Sequence, residues 1–311
     1  MASVAVVGAG AVGCYFGGML ARSDVHVTLI GRAPHMDAIA RDGLRIDGVR
    51  IHERIPVGAT TNLEEGVHAA GVILFCVKTV ATETAARELA PFLKPDAAIL
   101  SLQNGVDNVD RIQSATGRHA VPAAVYVAAE MTAPGVVTHT GRGDLVMGHR
   151  AGWPHDIDLE PLAGMFEKAG VPCRLSDAIE VELWTKMVMN CAYNAISALT
   201  RAQYGRMVQF PVVRTLMERA VAETVAVARA EGAPLSEQAM AEAVFRLAEK
   251  MSGATSSTAQ DIARGRPTEI DSLNGYVARR GAALGIATPV TETLVALVRL
   301  LEDSAVNRRA G

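Results

Sequence analysis

Two hydrophobic patterns divide this chain into halves. In the first half, short segments are apolar at nearly every position, and stretches compatible with helices separate them. These segments are Val4–Val7, Val25–Ile30, Val72–Val77, Ala97–Leu102 and Ala120–Val127. Continuous apolar runs of this length are typical of strands covered on both faces, as in a parallel sheet between helices. The pattern predicts a doubly wound α/β domain.

Shorter strands are predicted between and after these runs. Residues 44–51 alternate apolar and polar side chains around Asp47-Gly48, a pair that favours a hairpin turn. Gly135–His139 and Asp144–Met147 are predicted as two separate strands, because the intervening Thr140–Gly143 is rich in turn-forming residues.

From about Asp177 onward, the apolar residues recur with the 3.6-residue period of a helix. The predicted helices are Ile179–Leu199, Pro211–Glu231, Ser236–Lys250, Ile270–Leu284 and Pro289–Leu301. Ser236 is suited to cap its helix, and Thr288 is suited to cap the last one, with Pro289 at the first helical position. The second half is therefore predicted to be all helical.

Composition narrows the classes of function. Lys and Arg number 30 against 33 Asp and Glu, a formal charge of −3, and no segment concentrates the basic residues, so nucleic-acid binding is not expected. The cysteines lack zinc-ligand spacing, which indicates buried thiols in a reducing compartment and no metal site. They are Cys14, Cys76, Cys173 and Cys191. Since neither a signal core nor an apolar run of about 18 residues occurs, a cytoplasmic location away from membranes is expected.

The first predicted strand leads directly into a glycine motif, Gly8-Ala9-Gly10-Ala11-Val12-Gly13. In such a motif the first glycine makes a tight turn, the second lets the backbone approach a pyrophosphate, and the third lets the helix pack against the strand. The start of the following helix offers free N–H groups to the phosphates. Because strand, motif and helix occur together, dinucleotide binding is favoured over a glycine-rich turn without a ligand.

The end of the second strand indicates which dinucleotide is bound. An NAD site usually places an acidic residue about 20 residues past the glycines, whereas an NADP site offers arginine to the 2′-phosphate. Here Ile30 is followed by Gly31-Arg32, and the first acidic residue is Asp37. Arg32 therefore predicts NADPH or NADP⁺, bound through charge-assisted hydrogen bonds. The alternative is that Arg32 is a solvated loop cation.

Two more strand ends belong at the same rim of the predicted sheet. One carries Lys78, which is placed to approach a cofactor phosphate. The other carries Asn104, which is placed to bond the cofactor or a substrate beside the nicotinamide, although Asn104-Gly105 is also a common turn sequence.

Polar residues in an otherwise apolar helix predict the catalytic site. Lys186, Asn190 and Asn194 are four residues apart, so they project from one side of the first helix of the second half. Their apolar neighbours favour a lined cleft over a narrow exposed face. Hydride addition to a ketone forms an alkoxide that needs a proton, and a lysine partly removed from water is a good donor near neutral pH. Lys186 is therefore the predicted proton donor, with Asn190 and Asn194 binding hydroxyl and carboxylate groups.

The predicted fold class is α/β, with an amino-terminal Rossmann-type doubly wound sheet and a carboxy-terminal all-helical domain. The first predicted domain comprises residues 1–176 and is expected to bind NADP, and the second comprises residues 177–311 and is expected to hold the substrate and the catalytic residue. No long Gly/Ser linker separates them. The two domains are therefore expected to pack directly and to enclose a cleft.

These motifs resemble those of the ketopantoate reductase family, the NADPH-dependent 2-dehydropantoate 2-reductases. The resemblance extends from the glycine motif through Gln103–Gly105 and Trp184–Lys186 to Ser256–Ile262, and its most specific block is Arg266–Gly275. It implies reduction of ketopantoate to pantoate, a step of pantothenate biosynthesis.

The resemblance also implies roles for individual residues. Lys186 corresponds to the proton donor, and Asn190, Asn194 and Ser257 correspond to residues that contact the keto acid. Glu269 corresponds to a glutamate at the junction of cofactor and substrate. By sequence alone, Ser257 would only belong to a helix cap and Glu269 to a helix start. The positions that match the cofactor side are Arg32, Lys78, Asn104 and Ala128.

Two positions depart from the family pattern, because Ala254 and Tyr204 stand where the family has substrate-contacting asparagines. The loss of two amides weakens the match to a polyhydroxylated acid, so reduction of another 2-oxo acid stays an alternative. A β-hydroxyacid or imine reductase is a second alternative, although Arg266–Gly275 argues against it. A third is an NADPH-sensing protein without turnover, which would not need Lys186. The apolar helix Pro289–Leu301 would suit either a homodimer surface or the core.

Overall fold

The computed structural model describes residues 3–49 and 51–310. The chain divides into two compact units, Met1–Ile179 and Glu180–Gly311. None of the helices in the described part of the chain is long and apolar enough to span a bilayer.

The first unit alternates strands and helices. Its strands are β1 (Val4–Val7), β2 (Val27–Ile30), β3 (Leu44–Gly48), β4 (His52–Ile55), β5 (Gly58–Thr60), β6 (Val72–Phe75), β7 (Ala98–Ser101), β8 (Ala120–Ala133), β9 (Val136–Met147) and β10 (Cys173–Leu175). Its helices are α1 (Ala11–Arg22), α2 (Ala33–Asp42), α3 (Leu63–Val67), α4 (Thr82–Leu89), α5 (Asn108–Thr116) and α6 (Leu159–Lys168). Short 3₁₀ helices occupy Thr79–Ala81 and Ala90–Phe92.

The centre of the sheet is parallel and runs in the order β5-β2-β1-β6-β7-β8. This is the strand order of the dinucleotide-binding Rossmann fold. Val4 and Val6 pack into one apolar cluster, and Ala5 and Val7 pack into another. Since successive side chains of a strand point to opposite faces, β1 is covered on both sides. The predicted doubly wound domain is confirmed.

The sheet continues past β8 with an antiparallel ribbon, β8–β9. The prediction of two strands separated by a turn at Thr140–Gly143 is wrong, because β9 is continuous through this segment. Its register shifts on either side of Ala128, and Arg142, with φ +26°, is an extra residue in the resulting bulge. A Cβ at Gly143 would clash with the Tyr15 hydroxyl of α1. The segment Thr140–Gly143 therefore forms a bulge and a close contact with Tyr15 rather than a turn.

The predicted hairpin is confirmed as the antiparallel pair β3–β4, although its turn lies later than expected. Asp47 still pairs with His52, so Asp47-Gly48 ends the ladder instead of forming the turn. The Gly48 N–H donates to the carbonyl of Ile51 at 2.6 Å. Arg50, which belonged to the predicted alternating segment, lies outside the described residues.

All secondary-structure elements in the described residues of the second unit are helices, as predicted. Helix α7 (Ile179–Thr200) leads into it and is followed by α8 (Tyr204–Met207), α9 (Pro211–Ala230), α10 (Glu237–Lys250), α11 (Ser257–Ala263), α12 (Asn274–Leu284) and α13 (Pro289–Ala310). The predicted helix Ile270–Leu284 is interrupted at Leu273, whose φ is −105° and ψ −100°, and its start is a 3₁₀ turn at Ile270–Ser272.

One of the two predicted caps is correct. Ser236 caps α10 by accepting a hydrogen bond from the Ala239 N–H at 3.3 Å. The predicted cap at Thr288 is wrong, because the Thr288 hydroxyl donates to Glu292 instead. The carboxylate of Glu223, on α9, accepts the first free amides of α13 from Val290 and Thr291 at 2.9 and 2.8 Å. A carboxylate is a strong partner for a helix N-terminus, so it takes the place of the expected hydroxyl.

The four cysteines are free thiols, and three of them are buried while Cys76 is half-buried. Burial raises the pKa of Cys14, Cys173 and Cys191 to about 12, so these thiols stay protonated at neutral pH. Across residues 3–49 and 51–310, no group of three or more His, Cys, Asp or Glu side chains is placed to hold a metal ion.

Candidate functional site

The glycine motif forms the turn between β1 and α1, and two of its glycines are required by the fold. Gly8 has φ +103°, and a Cβ there would lie 2.6 Å from the Val77 nitrogen and 2.7 Å from the Cys76 carbonyl carbon. A Cβ at Gly13 would meet the Gly8 carbonyl oxygen and lie 2.8 Å from a methyl group of Val6. These two positions therefore allow the turn to pass close to β6 and to pack α1 on the sheet.

Gly10 has no such structural reason to be glycine. Nothing lies within 4 Å of a Cβ built at this exposed position, which is the N-cap of α1 and has no side-chain capping bond. The first amides of a helix have no intrahelical acceptor, and they attract anions together with the helix dipole. Open space beside a row of such amides fits a bound pyrophosphate. The residues of this turn therefore fit a dinucleotide.

The other residues of the motif hold the turn in place. The N–H groups of Gly8 and Ala9 both donate to the carbonyl of Ile30, at 3.1 and 2.9 Å. Ala11 and Val12 begin α1 and are half-buried. These bonds bring the end of β2 next to the glycine turn.

Arg32 lies just past this end of β2, at the N-cap of α2. The side chain is exposed, and it makes no hydrogen bond or ion pair within the part of the chain that the structure describes. A Cβ at the preceding Gly31 would lie 3.0 Å from the Cβ of Ala9, so the two turns are neighbours. The guanidinium group is therefore available to an anion near the glycine turn.

The loops carrying Lys78 and Asn104 are tied together by a buried polar network. Lys78 is exposed at the start of a 3₁₀ turn, and Asn104 is half-buried. The Thr79 hydroxyl donates to the Asn104 carbonyl at 2.8 Å, and the Asn108 amide donates to the same oxygen at 2.7 Å. The predicted cofactor-side residues at the ends of β6 and β7 are thus held side by side.

Gln103 is the centre of this network, although no role was predicted for it from the sequence. Its amide donates to the Val77 carbonyl at 2.9 Å and to the Thr82 hydroxyl at 2.6 Å, and its oxygen accepts a bond from Ser101 at 3.1 Å. It is 5% exposed. The sequence contained one indication of this role. Gln103 directly follows an apolar strand, and an amide that is buried there needs hydrogen-bond partners.

Replacing Gln103 with leucine is expected to destabilise the protein by about 2–4 kcal/mol, because buried partners are left without hydrogen bonds. The Kd for NADPH should rise as well, since the loops of Lys78 and Asn104 lose their shared support. Thermal unfolding and fluorescence titration with NADPH measure the two effects. Gln113→Leu is the matched control, because Gln113 is a half-buried amide on α5 that bonds His119 instead of these loops. An unchanged Kd in Gln103→Leu would show that the network does not position the cofactor loops.

Ala128 lies on β8 between two of the three register shifts of the β8–β9 ribbon and is half-buried. The bulge on β9 locally interrupts the regular pairing at this residue. The structure thereby places the predicted cofactor-side position at an irregularity of the sheet, and such bulges are frequent next to active sites.

In the second unit, Lys186, Asn190 and Asn194 form a polar stripe along α7. Lys186 and Asn190 are half-buried, and Asn194 is 3% exposed. Within the described residues, the side-chain amides of Asn190 and Asn194 make no hydrogen bond to the protein. Amides on a largely apolar helix that have no protein partner are open to a polar ligand or to water. The stripe is therefore suited to hold a polar ligand and is not an ordinary solvated face.

The segment before α11 passes over the carboxyl end of the stripe. Ser256 caps α11 by accepting from the Ala259 N–H at 3.0 Å, and its hydroxyl donates to the Asn194 carbonyl at 3.2 Å. Its own N–H donates to the Ser197 hydroxyl at 3.3 Å. Ser257, the next residue, is exposed at the first position of α11. The structure thus places Ser257 next to the residue that contacts the Asn194 backbone, while the cap itself belongs to Ser256.

The two positions that depart from the family pattern are neighbours in this same region. The Tyr204 N–H donates to the Ala254 carbonyl at 3.0 Å. The ring of Tyr204 stacks on that of Tyr193, with 4.1 Å between centroids. Burial raises the pKa of Tyr204 to about 12, so its hydroxyl is neutral at physiological pH.

Glu269 precedes the 3₁₀ turn Ile270–Ser272 and is half-buried. The block that contains it is tied to α7 by Asn274, whose amide donates to the Cys191 carbonyl at 3.1 Å. Asn274 is fully buried. This contact could not be predicted from the motif that contains Asn274, because Cys191 is far away along the chain.

The chain matches two family models over most of its length. Residues 4–152 match the model described as "Ketopantoate reductase PanE/ApbA", and residues 178–302 match the one described as "Ketopantoate reductase PanE/ApbA C terminal". Among curated proteins, the 2-dehydropantoate 2-reductase of Halobacterium salinarum is 34% identical over 308 residues, which cover 96% of this chain and 98% of that protein.

Solved structures resemble the chain over nearly all of its length. A PanE/ApbA family ketopantoate reductase from Ralstonia eutropha JMP134 is 46% identical with a TM-score of 0.90, covering 97% of this chain and 99% of that one. A D-mandelate dehydrogenase, solved as a ternary structure with NADH and anilino(oxo)acetate, is 25% identical with a TM-score of 0.91 at the same coverage. The same relatives therefore match both halves of the chain.

Proposed function

Because this chain belongs to the ketopantoate reductase family, we propose that it catalyses the NADPH-dependent reduction of a small 2-oxo acid to the 2-hydroxy acid. The leading substrate is 2-dehydropantoate, after which its curated relatives are named. The observation that carries the proposal is the polar stripe of α7, where a lysine stands in line with two amides that have no protein partner among the described residues.

The first unit would hold the cofactor. The open turn at Gly10 and the first amides of α1 receive the pyrophosphate, and Arg32 receives the 2′-phosphate. The remaining proposed cofactor-binding residues are Gly8, Ala9, Ala11, Val12, Gly13, Lys78, Asn104, Ala128 and, from the second unit, Glu269. When bound, NADPH supplies the hydride for the carbonyl carbon of the substrate.

The second unit would hold the substrate and supply the proton. The ammonium group of Lys186 donates a hydrogen bond to the carbonyl oxygen, stabilises the negative charge that develops there, and transfers the proton. Asn190, Asn194 and Ser257 bind the carboxylate and hydroxyl groups without adding charge. In this proposal, residues 1–176 form the NADP-binding domain and residues 177–311 form the domain that carries the substrate site.

The direct test follows the loss of NADPH absorbance with 2-dehydropantoate and with several other 2-oxo acids. We expect oxidation of NADPH that depends on the added acid, with formation of the matching 2-hydroxy acid. Tight NADPH binding with no turnover of any 2-oxo acid would instead identify a sensor of NADPH and overturn the proposal.

The variant Gly10→Ala is expected to weaken cofactor binding without affecting folding. Because nothing lies within 4 Å of the new Cβ, the melting temperature is expected to stay close to that of the wild type. The Kd for NADPH should rise, since the methyl group occupies the space proposed for the pyrophosphate. Gly13→Ala is the contrasting variant, because its Cβ would meet the Gly8 carbonyl and lower the melting temperature even without cofactor. Equal NADPH affinity in Gly10→Ala and the wild type would contradict the assignment.

A further inference from the structure

We infer that Asn274 is a positioning residue of the proposed site. By bonding the backbone of α7, it fixes where Glu269 stands relative to the polar stripe. The inference rests on the proposed function, because it concerns the geometry of that same reaction. It is carried by one hydrogen bond from a completely buried donor and by a short turn that joins this donor to Glu269.

The hydrogen bond joins α12 to the middle of the polar stripe. The Asn274 amide donates to the Cys191 carbonyl at 3.1 Å, and both residues are fully buried. Cys191 directly follows Asn190. Its carbonyl points along the helix toward the amide four positions later, that of Ala195, which is the neighbour of Asn194. Asn274 therefore meets α7 within one turn of both amides of the stripe.

A hydrogen-bonded turn connects Asn274 to Glu269. The Glu269 carbonyl accepts a bond from the Leu273 N–H at 3.1 Å, and Leu273 immediately precedes Asn274. At the other end of the turn, the Thr268 N–H donates to the Glu302 carboxylate of α13 at 2.7 Å. The segment is thus held to α13 at one end and to α7 at the other. Loss of the attachment to α7 is therefore expected to change the position of Glu269.

Stability alone does not explain an amide at this position. Within residues 3–49 and 51–310, the side-chain oxygen of Asn274 is buried without a hydrogen-bond partner, so this end of the amide adds nothing to stability. The Cys191 carbonyl has the Ala195 N–H as its partner inside α7 and does not need a second donor. A leucine of similar shape would remove the unpartnered oxygen and leave no new one. What the amide adds is a fixed direction of contact between α12 and α7.

The experiment compares kcat/KM of the wild type and of Asn274→Leu for 2-dehydropantoate, or for the 2-oxo acid that the wild type reduces best. We expect Asn274→Leu to lower kcat/KM by about 10- to 100-fold, because a misplacement of about 1 Å can cost this much. The melting temperature should stay close to that of the wild type. The Kd for NADPH should change much less than kcat/KM, since the glycine turn and Arg32 are unchanged.

The variant Glu269→Gln tests whether Asn274 acts through Glu269. If it does, the two substitutions disturb the same interaction, and their effects do not add. We expect Asn274→Leu to lower kcat/KM by less than about threefold when it is introduced into Glu269→Gln. A general loss of structure would instead lower the activity of both backgrounds equally. Effects that multiply, or full activity in Glu269→Gln alone, would overturn the inference.

Thr291→Val is the matched control. Thr291 is also fully buried in the second unit, and its hydroxyl has no hydrogen-bond partner in the described part of the chain. It lies on α13, and its N–H bonds Glu223 of α9. The substitution therefore removes a buried polar atom without touching the contact between α12 and α7, so it should leave kcat/KM unchanged.

Asn274→Ala is the second variant, because it removes the same donor and cannot overfill the site. It decides the question if Asn274→Leu does not fold. Failure of both variants to fold would show a purely structural role and overturn the inference. Wild-type kcat/KM in a folded Asn274 variant would also overturn it and leave the proposed function standing. Reduction of no 2-oxo acid by the wild type would instead count against the proposed function itself.

Discussion

Lys186→Ala is expected to lower kcat for the accepted 2-oxo acid by about 10²–10⁴-fold, the usual contribution of a positioned general acid. Lys186 is half-buried on α7, in line with Asn190 and Asn194. Without the ammonium group, the oxygen that receives negative charge during hydride addition has neither a proton donor nor a fixed positive charge beside it. Steady-state kinetics with saturating NADPH measure the loss.

The loss should fall on kcat, because the cofactor residues of the first unit are unchanged. The Kd for NADPH and the melting temperature are therefore expected to stay near the wild-type values, and both serve as checks that the variant is folded. A kcat within about threefold of the wild type would show that Lys186 is not the proton donor.

The variant Lys186→Arg distinguishes the effect of the positive charge at this position from the effect of proton transfer. Arginine keeps a positive charge at this position but stays protonated at any pH relevant to the assay, so it is a poor general acid. We expect kcat of this variant to remain well below that of the wild type, with a smaller loss of substrate affinity than in Lys186→Ala. Full activity in Lys186→Arg would mean that the charge alone carries the effect.

The parts of the fold that depend on local sequence could be predicted. The turn at Gly8 follows from its position between an apolar strand and a helix, and the parallel sheet follows from strands that are apolar on both faces. The polar stripe follows from the helical period, which places Lys186, Asn190 and Asn194 on one side of α7.

The errors arose where distant residues override local preferences. The segment Thr140–Gly143 has turn-forming composition, but pairing with β8 and packing under Tyr15 make it a bulged strand. Thr288 has the side chain of a helix cap, but the carboxylate of Glu223 occupies that role. Neither Tyr15 nor Glu223 is near in sequence to the segment it affects, so no local pattern contains the information.

The same limit applies to the candidate site. Gln103 could be recognised only as a buried amide in need of partners, because Val77 and Thr82 approach it through the fold. The contact between Tyr204 and Ala254 likewise cannot be seen in the sequence, where the two residues are 50 positions apart. The backbone hydrogen bond brings these two departures from the family pattern next to each other in the fold.

Arg32→Ala is expected to raise the Kd for NADPH by about 10- to 150-fold, which corresponds to about 1.5–3 kcal/mol for hydrogen bonds to a charged group. The Kd for NADH should change by less than about threefold, because NADH has no 2′-phosphate for the guanidinium group to bind. Fluorescence titration with the two nucleotides gives the ratio. Equal weakening of both would rule out the 2′-phosphate assignment.

Arg41→Ala is the matched control, because Arg41 is an exposed arginine on the same helix whose guanidinium pairs with Asp42. It removes the same charge from α2 without the proposed contact, so it should leave the ratio of NADPH to NADH affinity nearly unchanged.

The variant Arg32→Asp tests the same assignment more strictly. An acidic residue at the end of β2 repels the 2′-phosphate and can accept a hydrogen bond from the 2′-hydroxyl of NADH. We therefore expect Arg32→Asp to bind NADH more tightly than NADPH, and a retained preference for NADPH would place the phosphate elsewhere.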